Sequence, residues 1–190
     1  MTDRRRILIL CAPSGGGKST MAKRLMADHP EIRLSVSATT RAPRTGEEHG
    51  REYVFLSRGE FRRRLDAGDF LEHNEVYNGT LYGTLRSEID KMLENGYFPL
   101  LDVDVIGGLN VKSMMPDATY SVFLMPPNLD VLRQRLGARG TESPETLETR
   151  MARAEMELSM APRFDATVVN DDLERAYREL DALINRHVLN

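Results

Sequence analysis

The chain opens its hydrophobic pattern with four consecutive apolar residues, Ile7, Leu8, Ile9 and Leu10, which run directly into a turn-rich segment, Cys11 to Gly17. A short apolar run bounded by turn residues predicts a buried strand. Beyond the turn, Met21, Ala22, Leu25 and Met26 recur at the spacing of one helical face. They predict a helix from Ser19 to Asp28, ended by His29-Pro30. Leu34 to Ser37 reads as a short strand, and the polar stretch from Ala38 to Gly50 as a loop without periodicity. Glu52 to Leu56 predicts a strand with Tyr53 and Phe55 on one side. Ser57 and Glu60 have capping-box spacing and open a helix to Ala67. Phe70 to Val76 reads as a strand, Asn78-Gly79 as a tight turn, and Leu85 to Asn95 as a helix stopped by Gly96.

The second half repeats the alternation. Tyr97 to Asp104 reads as a buried strand ending in two carboxylates, Asp102 and Asp104. Ile106 to Met115 predicts a helix despite Gly107-Gly108, and Tyr120 to Met125 another core strand. Asn128 caps a helix through Leu136, and Ser143-Pro144 opens one reaching about Met160. Ala166 to Val169 is a last short strand. Asp171 to Val188 is a terminal helix with Leu173, Ala176, Leu180, Leu183 and Ile184 on its apolar face. Strands alternating with helices imply an α/β, doubly wound, mainly parallel sheet, which binds ligands at the carboxyl ends of its strands. Residues 35–84 break the rhythm and read as a mixed α+β insertion over that cleft.

Composition narrows the class. At 190 residues the chain makes one compact domain with room for a real core. A net charge of −3 offers no field to recruit a nucleic-acid polymer or an anionic membrane. Cys11, the single cysteine, can form no internal disulfide, which fits a reducing cytoplasm, and its place at a strand end suits a small core residue. Arg4-Arg5-Arg6 before the apolar run superficially resembles a secretory signal, but the run is too short and enters the turn at once. No stretch is long enough to span a bilayer.

The chemistry begins at that turn. Ala12-Pro13-Ser14-Gly15-Gly16-Gly17-Lys18-Ser19-Thr20 fits a strand–GxxxxGK[ST]–helix phosphate loop, with Ala12 at the first glycine position. Glycines let backbone N–H groups line one concavity. Lys18 brings a point charge to terminal phosphates, the Ser19 hydroxyl can ligate Mg²⁺, and the helix starts with its positive end at the anion. In the insertion, Arg41 and Arg44 with Tyr53 and Tyr82 can hold one further phosphate. Alone, two loop arginines are more often surface charges. Glu72 interrupts an apolar strand. Its carboxylate can accept from the N1–H and N2–H₂ of guanine and would repel the N1 acceptor of adenine; alone, it also reads as an outward strand residue.

Together these segments carry a resemblance. SVSATTRAPRTGEEHGREYVF (35–55), FLEHNEVYNGTLYGT (70–84), LDVD (101–104), RLGARG (135–140) and NDD (170–172) resemble the guanylate kinase family, as does APSGGGKST, where the bacterial form has Ala first. The resemblance spans nearly the whole chain. It implies a nucleoside-monophosphate-kinase fold, with core 1–34 and 85–190, a GMP-binding subdomain 35–84 and a lid 135–150. It implies transfer of the terminal phosphoryl group of ATP to GMP, with dGMP as a further acceptor, assisted by Mg²⁺. By resemblance, Arg41, Arg44, Tyr53 and Tyr82 contact the GMP phosphate, while Ser37, Glu72, Thr84 and Asp104 form the guanine pocket. Asp102 joins Ser19 at the metal shell. Arg135, Arg139 and Arg150 close over ATP, and Asn170 lies near the adenine. Lys18, Arg41, Arg139 and Arg150 are the catalytic candidates.

Two positions depart from the family pattern: Ile106 stands where Gln is common, and Asn74 where a small or aromatic residue is usual. The phosphate that attacks is already ionised, so no general base is needed, and the scattered His29, His49, His73 and His187 read as incidental. The alternatives are a related kinase with a non-guanine phosphorylated acceptor and a non-catalytic guanylate-kinase-like binding module. The first would lack the Tyr53, Glu72 and Asp104 set, the second the phosphate loop. A GTPase switch is poorer still, for want of an NKxD motif.

Overall fold

A computed structural model describes residues 6–76, 79–137 and 147–189. In chain order its strands are β1 (Ile7–Cys11), β2 (Ile32–Leu34), β3 (Ser37–Thr39), β4 (Tyr53–Phe55), β5 (Phe70–Val76), β6 (Thr80–Leu85), β7 (Phe98–Leu101), β8 (Thr119–Met125) and β9 (Ala166–Val169). The α-helices are α1 (Lys18–Asp28), α2 (Arg58–Asp66), α3 (Arg86–Glu94), α4 (Val105–Met114), α5 (Leu129–Gly137), α6 (Leu147–Ser159) and α7 (Leu173–Ile184). Arg139, Gly140, Asn78 and the Ser143-Pro144 helix start lie outside the described residues, as does the middle of the expected lid.

β1 is buried along its whole length and sits at the centre of a five-stranded sheet in the order β2-β7-β1-β8-β9. Every pairing in that sheet is parallel. The pleat sends alternate residues to opposite faces. Leu8 and Leu10 join Met21 and Leu25 of α1 and Leu180 and Ile184 of α7. Ile7, Ile9 and Cys11 join Val105 and Leu109 of α4. Covering a parallel sheet on both faces explains why β1 is a continuous apolar run rather than an alternating one. Each such fully buried aliphatic side chain contributes about 1.5–3 kcal/mol, so the two faces dominate the fold's stability. Among the described residues no helix is long and apolar enough to cross a membrane.

Gly107-Gly108 weakens the helical signal of α4 but has a packing cause. A Cβ on Gly108 would stand 2.7 Å from Cys11 Sγ and 2.9 Å from Ile9 Cγ2, so glycine lets α4 approach β1 closely. Cys11 is accordingly a core residue, and burial pushes its thiol up to about 12.

The insertion forms a second, mixed sheet in the order β4-β3-β6-β5. β3 pairs parallel with β4 and antiparallel with β6, which pairs antiparallel with β5. It has its own small core, in which Phe61 of α2 stacks on Phe70 with ring centroids 4.3 Å apart.

Several boundaries differ from expectation. The single strand read at Leu34–Ser37 is two ends of different strands. Leu34 closes β2 in the parallel sheet, the Ser35 N–H still bonds Leu100 O at 2.9 Å, and Ser37 opens β3 in the other sheet. Ala38 and Thr39, expected in a loop, are buried strand residues because β4 and β6 flank them. β7 stops at Leu101, so Asp102 lies beyond the strand and Asp104 becomes the N-cap of α4. The terminal helix ends at Ile184 and widens into a π-type turn, Asn185–Leu189. Two histidines read as incidental have packing partners: His29 Nε2 lies 2.5 Å from Asp181 Oδ1, and His187 stacks on Tyr120.

Candidate active site

The loop after β1 folds back on itself. The Gly16 N–H donates to Pro13 O at 2.8 Å, and Gly15 and Gly17 have positive φ angles of 83° and 94°. A Cβ on Gly16 would lie 2.8 Å from the Ala12 Cβ, and one on Gly17 only 2.3 Å from Asn170 Nδ2. Glycine is therefore required at both positions by space, and at Gly17 by conformation as well. α1 then begins at Lys18 with no side-chain cap and no acidic residue in its first turn. Its positive end stays open toward an anion.

The loop walls a cavity of about 370 Å³, which Asp102, Asp104, Arg150, Arg153 and Glu157 complete. Lys18 Nζ lies 2.5 Å from Asp102 Oδ1 and donates to Val103 O at 3.0 Å. Asp102 is half exposed, so it holds the ammonium without trapping it. Ser14 and Ser19 line the same cavity. Thr20, Arg135 and Asn170 line an adjoining cleft on the outer side of the loop. Arg150 donates to Leu136 O at 3.3 Å, which ties the start of α6 to α5.

Asn170, expected near an adenine, is nearly buried, and its amide donates to Gly16 O at 2.9 Å. Arg135 in turn donates to Asn170 O at 3.1 Å. Asn170 is thus first a brace for the loop. Asn170→Ala leaves the Gly16 carbonyl unsatisfied and opens space behind it. We expect it to lower the unfolding free energy by about 1–3 kcal/mol, read by urea denaturation. A change under about 0.5 kcal/mol would mean that the loop holds its shape without the brace.

A second cavity, of about 190 Å³, lies between the two sheets. Ser37, Tyr53, Glu72, Asn74 and Tyr82 line it, and it shares the wall Asp102–Val103–Asp104 with the first. Glu72 projects from β5, and Thr84 on β6 donates to its Oε1 at 2.7 Å. Burial raises the Glu72 pKa above the ordinary carboxylate range, and the Thr84 bond opposes that shift. Thr84 is itself buried, so it stands behind Glu72 rather than at the cavity surface. Asp104 caps α4 through Oδ1, 2.7 Å from the Gly107 N–H, and accepts from Asn74 Nδ2 at its Oδ2, 2.8 Å away.

Arg41 sits beside this cavity, 5.3 Å from the Tyr53 ring centroid, and the Tyr53 and Tyr82 rings meet edge to face at 5.8 Å. Three of the four residues expected at the acceptor phosphate are therefore together. Arg44 differs: its side chain is exposed, and its backbone N–H donates to Glu47 at 2.7 Å. Glu47, not singled out from the sequence, holds both Arg41 guanidinium nitrogens at 2.8 Å, and this pairing holds its carboxyl down to about 2. Arg153 and Glu157 are likewise absent from the sequence reading, and Asn74 enters it only as a departure from the family pattern. The signal for Glu157 was a carboxylate on the Met151, Ala154, Glu157 stripe of α6 that turns inward.

A phosphate cradle at the carboxyl ends of a parallel sheet, faced across a shared wall by a second polar cleft on a separate small sheet, defines a phosphate-loop nucleoside monophosphate kinase. The guanylate kinase family model matches residues 4–187. The chain is 51% identical to a guanylate kinase of Salinibacter ruber over 92% of this chain and 93% of that one. It is 48% identical to one of Bacteroides fragilis, over 92% of this chain and 86% of that one. The crystal structure of guanylate kinase from Anaplasma phagocytophilum superposes with a TM-score of 0.73 at 30% identity, covering all of this chain and 89% of that one. The chain belongs to the guanylate kinase family.

Proposed function

We propose that the two cavities are the donor and acceptor sites of ATP:GMP phosphotransfer, ATP + GMP ⇌ ADP + GDP. The observation that carries this is their common wall, Asp102–Val103–Asp104, across which a triphosphate tail and a monophosphate would lie end to end. The loop residues Ala12 to Thr20 take the ATP phosphates, with Arg135 and Asn170 on the outer side. Ser37, Glu72 and Asp104, with Thr84 behind, take the guanine side of GMP. Arg41, Tyr53 and Tyr82 take its phosphate, and the exposed Arg44 side chain can join them.

The chain's own residues act by alignment and charge neutralisation. Lys18 exchanges its Asp102 partner for donor phosphate oxygens as ATP enters. Arg41 exchanges Glu47 for the acceptor phosphate in the same way, so both cations are held in place before substrate arrives. Arg150 reaches the cradle from the donor side, and Arg139 is assigned to the lid by resemblance alone. Ser19 and Asp102 suit Mg²⁺, since the donor set is hard oxygen and the ion takes most of its shell from phosphates and water. Held by Ser19 and Asp102, Mg²⁺ would supply positive charge against the phosphoryl group being transferred.

Calorimetric titration tests this reading. GMP and a non-hydrolysable ATP analogue are expected to bind simultaneously, each at its own site. Mutual displacement would contradict it.

A further inference from the structure

Asp104 stands where the two cavities touch. Its Oδ1 is fixed by the α4 cap, so its Oδ2 faces the boundary in a set direction. From the acceptor side, Asn74 on β5 donates to Oδ2 at 2.8 Å. From the donor side, Arg153 Nη2 on α6 stands 3.9 Å from the same oxygen. Arg153 also donates from Nε to Glu157 Oε1 at 3.2 Å, one turn along α6. Glu157 is only 7% exposed, so that end of the contact is anchored. A polar chain, Glu157–Arg153–Asp104–Asn74, therefore crosses the wall between the cavities. Neither Arg153 nor Asn74 has a role in the reading above.

The donor cavity faces three carboxylates, Asp102, Asp104 and Glu157, and three cations, Lys18, Arg150 and Arg153. Lys18 is matched to Asp102. Arg153 is shared by at least two carboxylates, reaching Glu157 through Nε and Asp104 through Nη2. Its side chain is half exposed, so redirecting the guanidinium is a fast rotamer change. An incoming triphosphate draws it away from Asp104. That move leaves Asp104 short of a cation unless something on the acceptor side supplies a donor. A nucleoside monophosphate brings N–H and O–H groups into that side.

We propose that Arg153 couples the two sites: an acceptor nucleotide that donates to Asp104 releases the guanidinium toward the donor's phosphates, so each substrate tightens binding of the other. This rests on the two cavities being the GMP and ATP sites. Coupling of this kind is reciprocal, so one binding experiment reads both directions. It also favours placing a fully neutralised triphosphate only beside a waiting acceptor, rather than beside water.

The test is the affinity of a non-hydrolysable ATP analogue with Mg²⁺, measured with and without saturating GMP, for wild type, Arg153→Gln and Arg153→Lys. Wild type is expected to show tightening of about five-fold or more, Arg153→Gln less than about two-fold, and Arg153→Lys an intermediate value because it keeps the charge and loses the fork. Arg153→Gln should bind GMP alone at least as tightly as wild type, because no guanidinium then has to be displaced from Asp104. The proposal is overturned if Arg153→Gln keeps the wild-type factor, if wild type shows no coupling, or if Arg153→Gln loses GMP binding alone, which would put Arg153 in the acceptor site or the fold. Failure of wild type to bind GMP at all would instead sink the assignment of the cavities.

Discussion

Lys18→Ala is expected to lower kcat by about 10²–10³-fold while the protein stays folded, because one preorganised charge aimed at a transferring group is worth that much. Lys18 has the cradle cavity on one side and Asp102 on the other, with the Val103 carbonyl as a second acceptor. Removing it leaves Asp102, which is 56% exposed and so remains solvated. No buried charge is orphaned, and the unfolding free energy is expected to shift by less than about 1 kcal/mol. ADP-release kinetics and urea denaturation on the same preparation check both halves. A kcat within a few-fold of wild type would remove Lys18 from the chemistry. A collapsed unfolding midpoint would make it a structural residue.

Glu72→Gln should weaken GMP by about 10²-fold or more and change the affinity of an ATP analogue by less than about two-fold. The amide sets an N–H donor against the guanine N1–H, whereas the carboxylate accepts from it. Thr84 can still donate to the remaining carbonyl oxygen, so the side chain's position is retained. Stability moves the other way. Burial raises the Glu72 pKa, so the native state favours the protonated carboxyl. A group with a raised native pKa contributes stability below its unfolded pKa and loses it as pH rises through the native value. At neutral pH the ionised Glu72 is therefore a cost, and the neutral glutamine should raise the melting temperature. The same shift predicts that GMP affinity in the wild type falls as pH drops through that raised pKa, because the protonated carboxyl loses an acceptor. Equal loss of both ligands in Glu72→Gln, or pH-independent GMP binding across the acid range, would argue against the pocket.

The parts legible from sequence were those whose chemistry is local. A glycine loop after an apolar run can do little else, and the structure gives Gly16 and Gly17 steric reasons to be glycine. Glu72 was visible as a carboxylate in an apolar strand, and Tyr53 and Tyr82 as aromatics in short flanking segments. The parts that were not legible depend on what lies opposite. Arg153 and Glu157 have the i, i+4 spacing of an ordinary solvent-facing helix pair, and only the docking of α6 over the cradle turns them inward. Leu34 to Ser37 carries no internal signal that one end pairs with β7 and the other with β4. Asn170 was noticed, but its partner is a backbone carbonyl more than 150 positions away, which no spacing rule reaches. Glu47 was hidden in a loop where an acidic residue reads as surface charge, and only its bidentate hold on Arg41 gives it meaning.

The central claim is that one cavity holds a triphosphate while the facing one selects its acceptor by guanine's hydrogen-donating edge. The most direct measurement is ADP release from Mg²⁺–ATP with GMP, dGMP, AMP, UMP and CMP offered in turn to the same enzyme. GMP and dGMP should exceed the other three in kcat/KM by about 10³-fold or more, as expected when a buried acceptor is left facing the wrong edge. Turnover of AMP at a rate comparable to GMP would contradict the account.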